Sequence, residues 1–244
     1  MNAILNKDTA YIDLGLIDYQ KAWDYQTVLF NGIVDAKLRS RDLPIEQRQA
    51  TTNHLIFCEH PHVFTQGRTG NDENLLTTKG QLESLQATFY HINRGGDITY
   101  HGPGQIVVYP VIDLENFFTD IHRYMRNLEE AVIRTIGTFG LKGERIAGLT
   151  GVWLDAGSRM PRKICALGVK TSRWVTMHGL AFNVRPDLSY FSHIVPCGIN
   201  DKPVTSLEKE LGKSVNIQTV KDILRKNIAE VFEMNLKEEA IISL

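Results

Sequence analysis

The chain contains several short apolar runs that are typical of strands. It also contains two long stretches with a stripe of apolar residues at helical spacing, and the two kinds of segment do not alternate strictly. The longest apolar run, residues 106–114, has the length and composition of a buried strand. The two stripes follow Asp18 and Asp120, and aspartate is a favoured residue at a helix N-terminus. Because strictly alternating strands and helices build a doubly wound parallel sheet, the irregular order predicts a mixed-sheet α/β or α+β fold.

The other predicted elements fill the rest of the chain. Strands are predicted at 10–14, 54–58, 62–65, 87–92, 149–154, 163–170 and 173–184. The first helical stripe consists of Ala22, Tyr25, Leu29, Ile33 and Ala36. The second consists of Ile121, Met125, Leu128, Val132, Ile136 and Phe139, with Gly140 placed to end the helix. Two more helices are predicted at 205–211 and 217–233.

Composition bounds the class of protein. The chain has 244 residues, of which 43% are hydrophobic and 23% charged, as in ordinary soluble globular proteins. This length predicts one domain spanning residues 1–244. The net charge of -1 gives no overall reason to expect a nucleic-acid partner. The three cysteines, and the lack of a long apolar stretch at the N-terminus, predict a cytoplasmic protein with neither a disulfide framework nor a membrane span.

A glycine-rich segment, residues 94–105, reads RGGDITYHGPGQ. Glycine lets a backbone approach a ligand closely and adopt positive φ, and the segment also supplies several polar side chains. It matches neither a Walker loop nor the G-x-G-x-x-G fingerprint. The segment therefore predicts either a substrate-binding wall or two ordinary turns around a short strand.

The three thiols differ in their surroundings. Cys58 and Cys165 lie inside apolar strand-like stretches, where cysteine behaves as a small core residue. Cys197 stands between Pro196 and Gly198, in a turn-like setting that presents a side chain to a cleft. Because a catalytic thiol must be partly exposed and able to ionise, Cys197 is the candidate nucleophile.

A nucleophilic cysteine needs a neighbour that stabilises its thiolate. Lys163 begins a strand-like segment whose apolar residues would partly desolvate its amine. The alternative for Lys163 is an exposed lysine at a strand end. His178 and His193 are rival partners for the thiol.

A metal site is disfavoured. His54, His60 and His62 lie close together, with Cys58 and Glu59 between them. No second cluster with zinc-ligand spacing accompanies them. We therefore expect no metal and assign these side chains structural or substrate-lining roles.

Three stretches together resemble the lipoyl(octanoyl) transferase family, the octanoyltransferases of lipoate biosynthesis. They are residues 94–105, the pair 163–170 and 178–184, and residues 196–199, in the same order and at similar spacing. The similarity runs from about Tyr11 to the C-terminal helix. It implies the fold of the lipoate-ligase and biotin-ligase superfamily, a single domain with a mixed sheet and a smaller second sheet.

The resemblance also implies a reaction, the transfer of an octanoyl group from octanoyl-acyl carrier protein to a lysine of a lipoyl domain. The acceptor would belong to a 2-oxoacid dehydrogenase or be the glycine cleavage H protein. Cys197 would carry the acyl group as a thioester and Lys163 would lower its pKa, with no ATP, metal or other cofactor. The substrate site would comprise Arg94, Gly95, Gly96, Asp97, Ile98, Thr99, Tyr100, His101, Ala166, Leu167, Gly168, Gly179, Leu180 and Ala181.

The sequence is also compatible with other functions. An ATP-dependent lipoate ligase shares the fold, but its loop typically carries Ser-Gly-Gly-Gly where this chain has Arg94-Gly-Gly-Asp. Two further alternatives are a cysteine thioesterase and a non-enzymatic acyl-binding module. For the acidic protein substrates of a transferase, we also hypothesise a basic face formed by Arg94, Arg162, Lys163, Lys170 and Arg173.

Overall fold

A computed structural model of the chain describes residues 5–44, 47–195 and 203–238. The helices are α1 (Tyr19–Ser40), α2 (Lys79–Ser84), α3 (Ile121–Gly137), α4 (Leu207–Leu211) and α5 (Ile217–Phe232). The strands are β1 (Asp8–Leu16), β2 (His54–Glu59), β3 (Val63–Gln66), β4 (Thr88–His91), β5 (Ile98–His101), β6 (Gln105–Val111), β7 (Glu144–Ile146), β8 (Leu149–Leu154), β9 (Arg162–Ser172), β10 (Val175–Asn183) and β11 (Asn235–Glu238).

The strands form one large sheet and one small sheet. The large sheet has eight strands in the order β11-β1-β2-β6-β10-β9-β8-β7, and the small sheet has the order β4-β3-β5. In the large sheet β1 pairs parallel with both β2 and β11, whereas the pairs from β2 to β7 are antiparallel. The prediction of a mixed sheet with a smaller second sheet is therefore confirmed.

Helices cover both faces of the large sheet. One face packs against α3 and α5 through a core that includes Phe57, Val108 and Phe182, all fully buried. The other face packs against α1 through a smaller core with Val107 and Met177. Strand β10 is buried along its whole length, since it lies in the middle of the sheet between β6 and β9.

Both aspartates that were predicted to begin helices do so. The Asp18 carboxylate accepts a hydrogen bond from the backbone N–H of Lys21, and Asp120 accepts one from Arg123. Helix α3 ends at Gly137, three residues before the predicted Gly140, which instead has a φ of +83° in the following turn. None of the helices in the described part of the chain has the length and apolarity that crossing a bilayer takes.

The predicted strand 106–114 is shorter at its C-terminal end than expected. Strand β6 ends at Val111, and residues Leu114–Asn116 form a 3₁₀ turn that Asp113 caps. Pro110 is in the strand but has no N–H to donate, and β6 pairs with β10 only as far as Val108. The Thr176 hydroxyl donates to the carbonyl of Pro110 at 2.7 Å and joins the two strands beyond that point.

Candidate active site

A cavity of about 490 Å³, within the usual volume range of small-molecule sites, is lined by the glycine-rich segment and by strands β9 and β10. Lys163 lies in its wall. So do thirteen of the fourteen residues that were predicted to bind substrate: Arg94, Gly95, Gly96, Asp97, Ile98, Thr99, His101, Ala166, Leu167, Gly168, Gly179, Leu180 and Ala181. Their contact with a substrate stays a prediction.

Tyr100 is the one predicted substrate-binding residue that is not among the described wall residues. It is fully buried, and its ring stacks on Tyr190 with 4.9 Å between centroids. Its hydroxyl lies 2.7 Å from Nδ1 of His62. Tyr100 therefore joins the small sheet to the 3₁₀ turn Leu188–His193.

The Arg94 side chain holds the glycine-rich segment in place. Its guanidinium donates to the backbone carbonyls of Gly95 at 2.8 Å, Asp97 at 2.8 Å and Thr65 at 3.1 Å. Gly96 has a φ of +89°, which glycine adopts without strain. Guanidinium has several donors in one rigid plane, so Arg94 fixes two carbonyls of this wall and one carbonyl of β3 at once.

Two of the wall glycines are also required for close packing. A Cβ atom on Gly168 would lie 2.6 Å from Cδ of Arg94, and one on Gly179 would lie 2.1 Å from the carbonyl oxygen of Val108. The backbone N–H of Gly95 donates to the carbonyl of Val169 at 3.0 Å, so the glycine-rich segment lies directly against β9. These glycines therefore admit neighbouring protein atoms, in addition to the substrate-binding role predicted for them.

Lys163 lies at the start of β9 and is half-buried. Its ammonium nitrogen is 4.6 Å from the centre of the Trp153 ring, a distance at which a cation and an aromatic face attract each other. A Cβ atom on Gly151 would lie 3.3 Å from Cε of Lys163, so the stem of the lysine passes over that glycine. Trp153 and Gly151 therefore shape the surroundings of Lys163. No motif in the sequence indicated either residue.

Cys58 and Cys165 are fully buried core residues, as predicted. Burial raises the pKa of each thiol well above its ordinary value, so both are protonated at neutral pH. Cys197, the predicted nucleophile, lies outside the described residues. Its role therefore stays a prediction from the sequence.

Three histidines near the cavity are buried and neutral. Burial is the main cause that lowers the pKa of His60 to about 4 and of His101 and His178 to about 3. The Tyr109 hydroxyl lies 2.8 Å from Nε2 of His60, whose Nδ1 is 2.8 Å from the carbonyl oxygen of Ile17. Among residues 5–44, 47–195 and 203–238, no group of three or more histidines, cysteines and carboxylates is arranged to hold a metal ion.

His178 has an unusual backbone for its residue type. Its φ is +59°, and its N–H donates to the side-chain carbonyl of Gln26 at 3.0 Å. Its Nε2 lies 2.9 Å from Oδ1 of Asn93. His178 lies in the cavity wall, whereas His193, the other rival partner for the thiol, does not belong to the described wall.

Two of the five side chains in the hypothesised basic face, those of Arg162 and Arg94, are engaged by other groups of the protein. Arg162 pairs with both carboxylate oxygens of Glu210, at 2.8 and 3.0 Å, and also with Asp155 at 2.8 Å. The Lys170 ammonium lies 4.8 Å from the centre of the Phe30 ring. Arg162 is therefore neutralised, and Arg94 donates its hydrogen bonds to backbone carbonyls.

A sequence model of the lipoyl protein ligase A/B catalytic domain matches residues 18–229 of the chain. The chain belongs to this family. The matched span includes the glycine-rich segment, Lys163 and Cys197. The cavity wall is therefore built from residues of the family's catalytic domain.

Relatives within the family are octanoyltransferases. The chain is 58% identical to octanoyltransferase of Cytophaga hutchinsonii over 238 residues, which are 97% of this chain and 98% of the relative. It is 55% identical to octanoyltransferase of Christiangramia forsetii over 234 residues, 96% of this chain and 99% of the relative. The prediction that the chain is an acyltransferase of the octanoyltransferase type is confirmed.

Solved structures of lipoate ligases share the fold. A bipartite lipoate protein ligase from Thermoplasma acidophilum matches with a TM-score of 0.70 at 18% identity, covering 97% of this chain and 88% of the other. Lipoate-protein ligase A bound with ATP matches with a TM-score of 0.66 at 17% identity, covering 98% and 90%. The predicted lipoate-ligase type of fold is thereby confirmed.

Proposed function

We propose that this octanoyltransferase moves an octanoyl group from octanoyl-acyl carrier protein to the ε-amine of a specific lysine on a lipoyl domain. Cys197 carries the group between them as a thioester, and Lys163 exchanges protons with the thiol. The acceptor domain belongs to a 2-oxoacid dehydrogenase or is the glycine cleavage H protein. The reaction takes place in the cytoplasm without ATP, a metal or another cofactor.

One observation carries the proposal. Lys163 shares a cavity wall with the glycine-rich segment, in a chain 58% identical to an octanoyltransferase over nearly its whole length. The two described thiols are buried with raised pKa values, so neither is suited to act as a nucleophile. Cys197 is the third cysteine of the sequence and the one in a turn-like setting.

In the first step, Lys163 accepts the thiol proton of Cys197, and the thiolate attacks the carbonyl carbon of the octanoyl thioester. A new carbon–sulfur bond forms to Cys197, and the bond to the carrier's sulfur breaks. Lys163 then returns the proton to the departing carrier thiolate. Because one thioester replaces another, this step needs no external source of energy.

In the second step, the neutral amine of the acceptor lysine attacks the Cys197 thioester. An amide bond forms, and the carbon–sulfur bond to Cys197 breaks. The proton that the amine loses passes through Lys163 to the Cys197 sulfur, which regenerates the free enzyme. Formation of an amide from a thioester is favourable, so the second step drives the overall transfer.

The cavity suits such an acyl group. Strands β9 and β10 contribute Ala166, Leu167, Leu180 and Ala181 to its wall, and these side chains offer an apolar surface. Burying apolar surface stabilises a complex by about 0.8 kcal/mol for each methylene group. We therefore expect the alkyl chain to lie along β9 and β10, with its thioester directed toward Lys163.

A comparison of acyl donors tests the proposal. The enzyme is mixed with a lipoyl domain and either octanoyl-acyl carrier protein alone or free octanoate with ATP, and the domain's mass is measured. We expect an octanoyl amide from the carrier thioester alone, and none when the acceptor lysine is replaced by arginine.

Each other outcome would contradict the proposal in a recognisable way. Product from octanoate and ATP, with none from the thioester, identifies a ligase. Release of free octanoate without modification of the domain identifies a thioesterase. Binding of octanoate with neither product identifies an acyl-binding module.

A further inference from the structure

A chain of buried amide side chains links the glycine-rich segment to the end of β10. Nδ1 of His101 lies 2.7 Å from the side-chain oxygen of Gln105. The Gln105 amide nitrogen donates to the side-chain oxygen of Asn183 at 2.9 Å and to the carbonyl of Tyr100 at 3.2 Å. Gln105 is 1% exposed and Asn183 is 4% exposed, and both residues belong to the cavity wall.

The same chain continues to the backbone beside Lys163. The Asn183 amide nitrogen donates to the carbonyl of Thr205 at 3.0 Å. The N–H of Thr205 donates to the carbonyl of Lys163 at 2.9 Å, and the N–H of Lys163 donates to the carbonyl of Pro203 at 3.0 Å. Val204 therefore pairs with Lys163 as a short parallel bridge.

This bridge occupies a gap in the large sheet. Strand β10 pairs with β9 only as far as Phe182 opposite Cys165. Beyond that point β10 ends at Asn183, and residues 203–205 take its place beside Lys163. The side chain of Asn183 joins the end of β10 to this segment.

The chemistry of the groups fixes the direction of every bond in this chain. The Thr205 carbonyl can only accept, so Asn183 must present its NH₂ group there and its oxygen to Gln105. Gln105 must then present its NH₂ group to Asn183 and its oxygen to His101. His101 therefore carries its proton on Nδ1. A side chain that cannot both accept from Gln105 and donate to Thr205 breaks the chain.

We propose that Asn183 is a positioning residue for Lys163, acting by clamping residues 203–205 against the start of β9. The inference rests on the proposed proton-transfer role of Lys163. Pro203 also follows Cys197 by six residues in the sequence, so the clamp holds the chain on the C-terminal side of that cysteine. Loss of the clamp lowers kcat, while KM for the octanoyl donor stays nearly constant.

The variant Asn183→Asp separates positioning from simple stability. An ionised aspartate accepts from Gln105 but repels the Thr205 carbonyl. A protonated aspartate accepts from Gln105 and donates to Thr205, which restores the wild-type pattern. Since only the acid form works, the kcat of the variant relative to wild type should rise as the pH falls.

Other titratable groups lie around position 183, and the variant is compared with wild type at each pH to separate their titration from that of the introduced aspartate. They are His101 on β5, Arg162 and Lys163 on β9, and Glu210 on α4, which pairs with Arg162 and accepts from the Thr205 hydroxyl. All are present in both wild type and variant. Dividing the kcat of the variant by that of wild type at each pH therefore removes their own titration from the profile to first order.

Asn227→Asp is the matched control. Asn227 is also buried, and its amide donates to the Thr135 hydroxyl at 2.9 Å between α5 and α3. Asn183 lines the cavity, whereas Asn227 and Thr135 do not belong to its described wall. This variant should lose thermal stability, but its kcat relative to wild type should not recover as the pH falls.

The experiment measures kcat and KM with octanoyl-acyl carrier protein between pH 8 and pH 5.5. At pH 8 we expect the kcat of Asn183→Asp to be lower than that of wild type by about tenfold or more, and its KM to stay within about twofold of the wild-type value. A loss of this size corresponds to one broken buried hydrogen bond in the transition state. The relative kcat should recover as the pH falls. An unchanged kcat, a flat relative profile, or a loss confined to KM overturns the inference.

A second variant and a second measurement keep the test decisive. If Asn183→Asp does not fold, Gln105→Glu breaks the preceding bond and should show the same recovery toward low pH. Amide hydrogen exchange at Thr205 should accelerate in either variant, whether or not wild type forms a thioester. A wild type that forms no thioester refutes the proposed function, whereas unchanged exchange at Thr205 refutes the clamp.

Discussion

The ammonium nitrogen of Lys163 lies 4.6 Å from the centre of the Trp153 ring, which is 1% exposed. Trp153 belongs to β8, the neighbour of β9 in the large sheet. The aromatic face of Trp153 therefore attracts the ammonium group of Lys163.

Trp153→Phe should slow acylation. Tryptophan attracts a cation more strongly than phenylalanine does, and a difference of about 0.5–1 kcal/mol corresponds to a two- to fivefold lower rate. Within the described part of the chain, Nε1 of Trp153 has no hydrogen-bond partner, so phenylalanine loses no bond there. Single-turnover kinetics measure the rate. Trp174→Phe, in the turn between β9 and β10, is the control, and an equal slowing in both variants would contradict this role.

Gly151→Ala should lower both stability and the acylation rate. Gly151 has a φ of +128°, and an added Cβ would lie 2.7 Å from the carbonyl oxygen of Cys165 and 3.3 Å from Cε of Lys163. We expect a loss of about 1–3 kcal/mol in the free energy of unfolding. Gly157→Ala is the control, because its Cβ meets no atom within 4 Å. Urea denaturation distinguishes the two, and equal stabilities would refute the steric argument.

Gly168→Ala should disturb the glycine-rich segment. The added methyl group would lie 2.6 Å from Cδ of Arg94 and 2.8 Å from the carbonyl oxygen of Gly95, so this wall of the cavity must shift. We expect a loss of about 1–3 kcal/mol in the free energy of unfolding and a lower kcat/KM for the octanoyl donor. Gly80→Ala, in α2, has room for its methyl group and should be neutral or slightly stabilising. A Gly168→Ala enzyme with wild-type kcat/KM would show that this wall does not contact the donor.

Stability should fall between pH 6.5 and pH 4. Burial lowers the pKa of His60 to about 4 and of His101 and His178 to about 3, whereas each titrates near 6.5 in the unfolded chain. Below pH 6.5 the unfolded state therefore binds more protons than the folded state. As the pH falls below 6.5, each such histidine lowers the free energy of unfolding by up to about 1.4 kcal/mol per pH unit. Above pH 6.5 this loss is absent.

Urea denaturation of His178→Asn at pH 7 and pH 5 measures this effect. Asparagine tolerates the positive φ of position 178 and does not titrate. The variant should lose about 2 kcal/mol less than wild type between the two pH values. If His178→Asn loses as much stability as wild type between the two pH values, His178 is not neutral in the folded protein.

Local signals in the sequence were enough to predict the main elements. The helix caps Asp18 and Asp120 and the apolar stripes that follow them depend only on nearby residues, and both helices form where predicted. Strands β7 and β11 were missed, because they have three and four residues and lie at the sheet edges, where pairing depends on distant partners. Helix α2 was also missed, although Thr78 and Gln81 form a capping box that the sequence displays.

The candidate site was predictable as a set of motifs but not as a geometry. The glycine-rich segment and Lys163 were singled out from their own sequence surroundings. The contact of Asn183 with Thr205 joins residues 22 positions apart and depends on where β10 ends, which no local pattern reveals. The need for glycine at position 151 likewise arises from Lys163 on the next strand.

Intact mass spectrometry of the enzyme after mixing with octanoyl-acyl carrier protein tests the central claim most directly. We predict one octanoyl adduct that hydroxylamine removes, that is absent in Cys197→Ser, and that forms more slowly in Lys163→Ala. Lys170→Ala is the matched control, since Lys170 is also on β9 with its ammonium over an aromatic ring, and it should acylate at the wild-type rate. An adduct that persists in Cys197→Ser, or equal rates for the two lysine variants, would contradict the account.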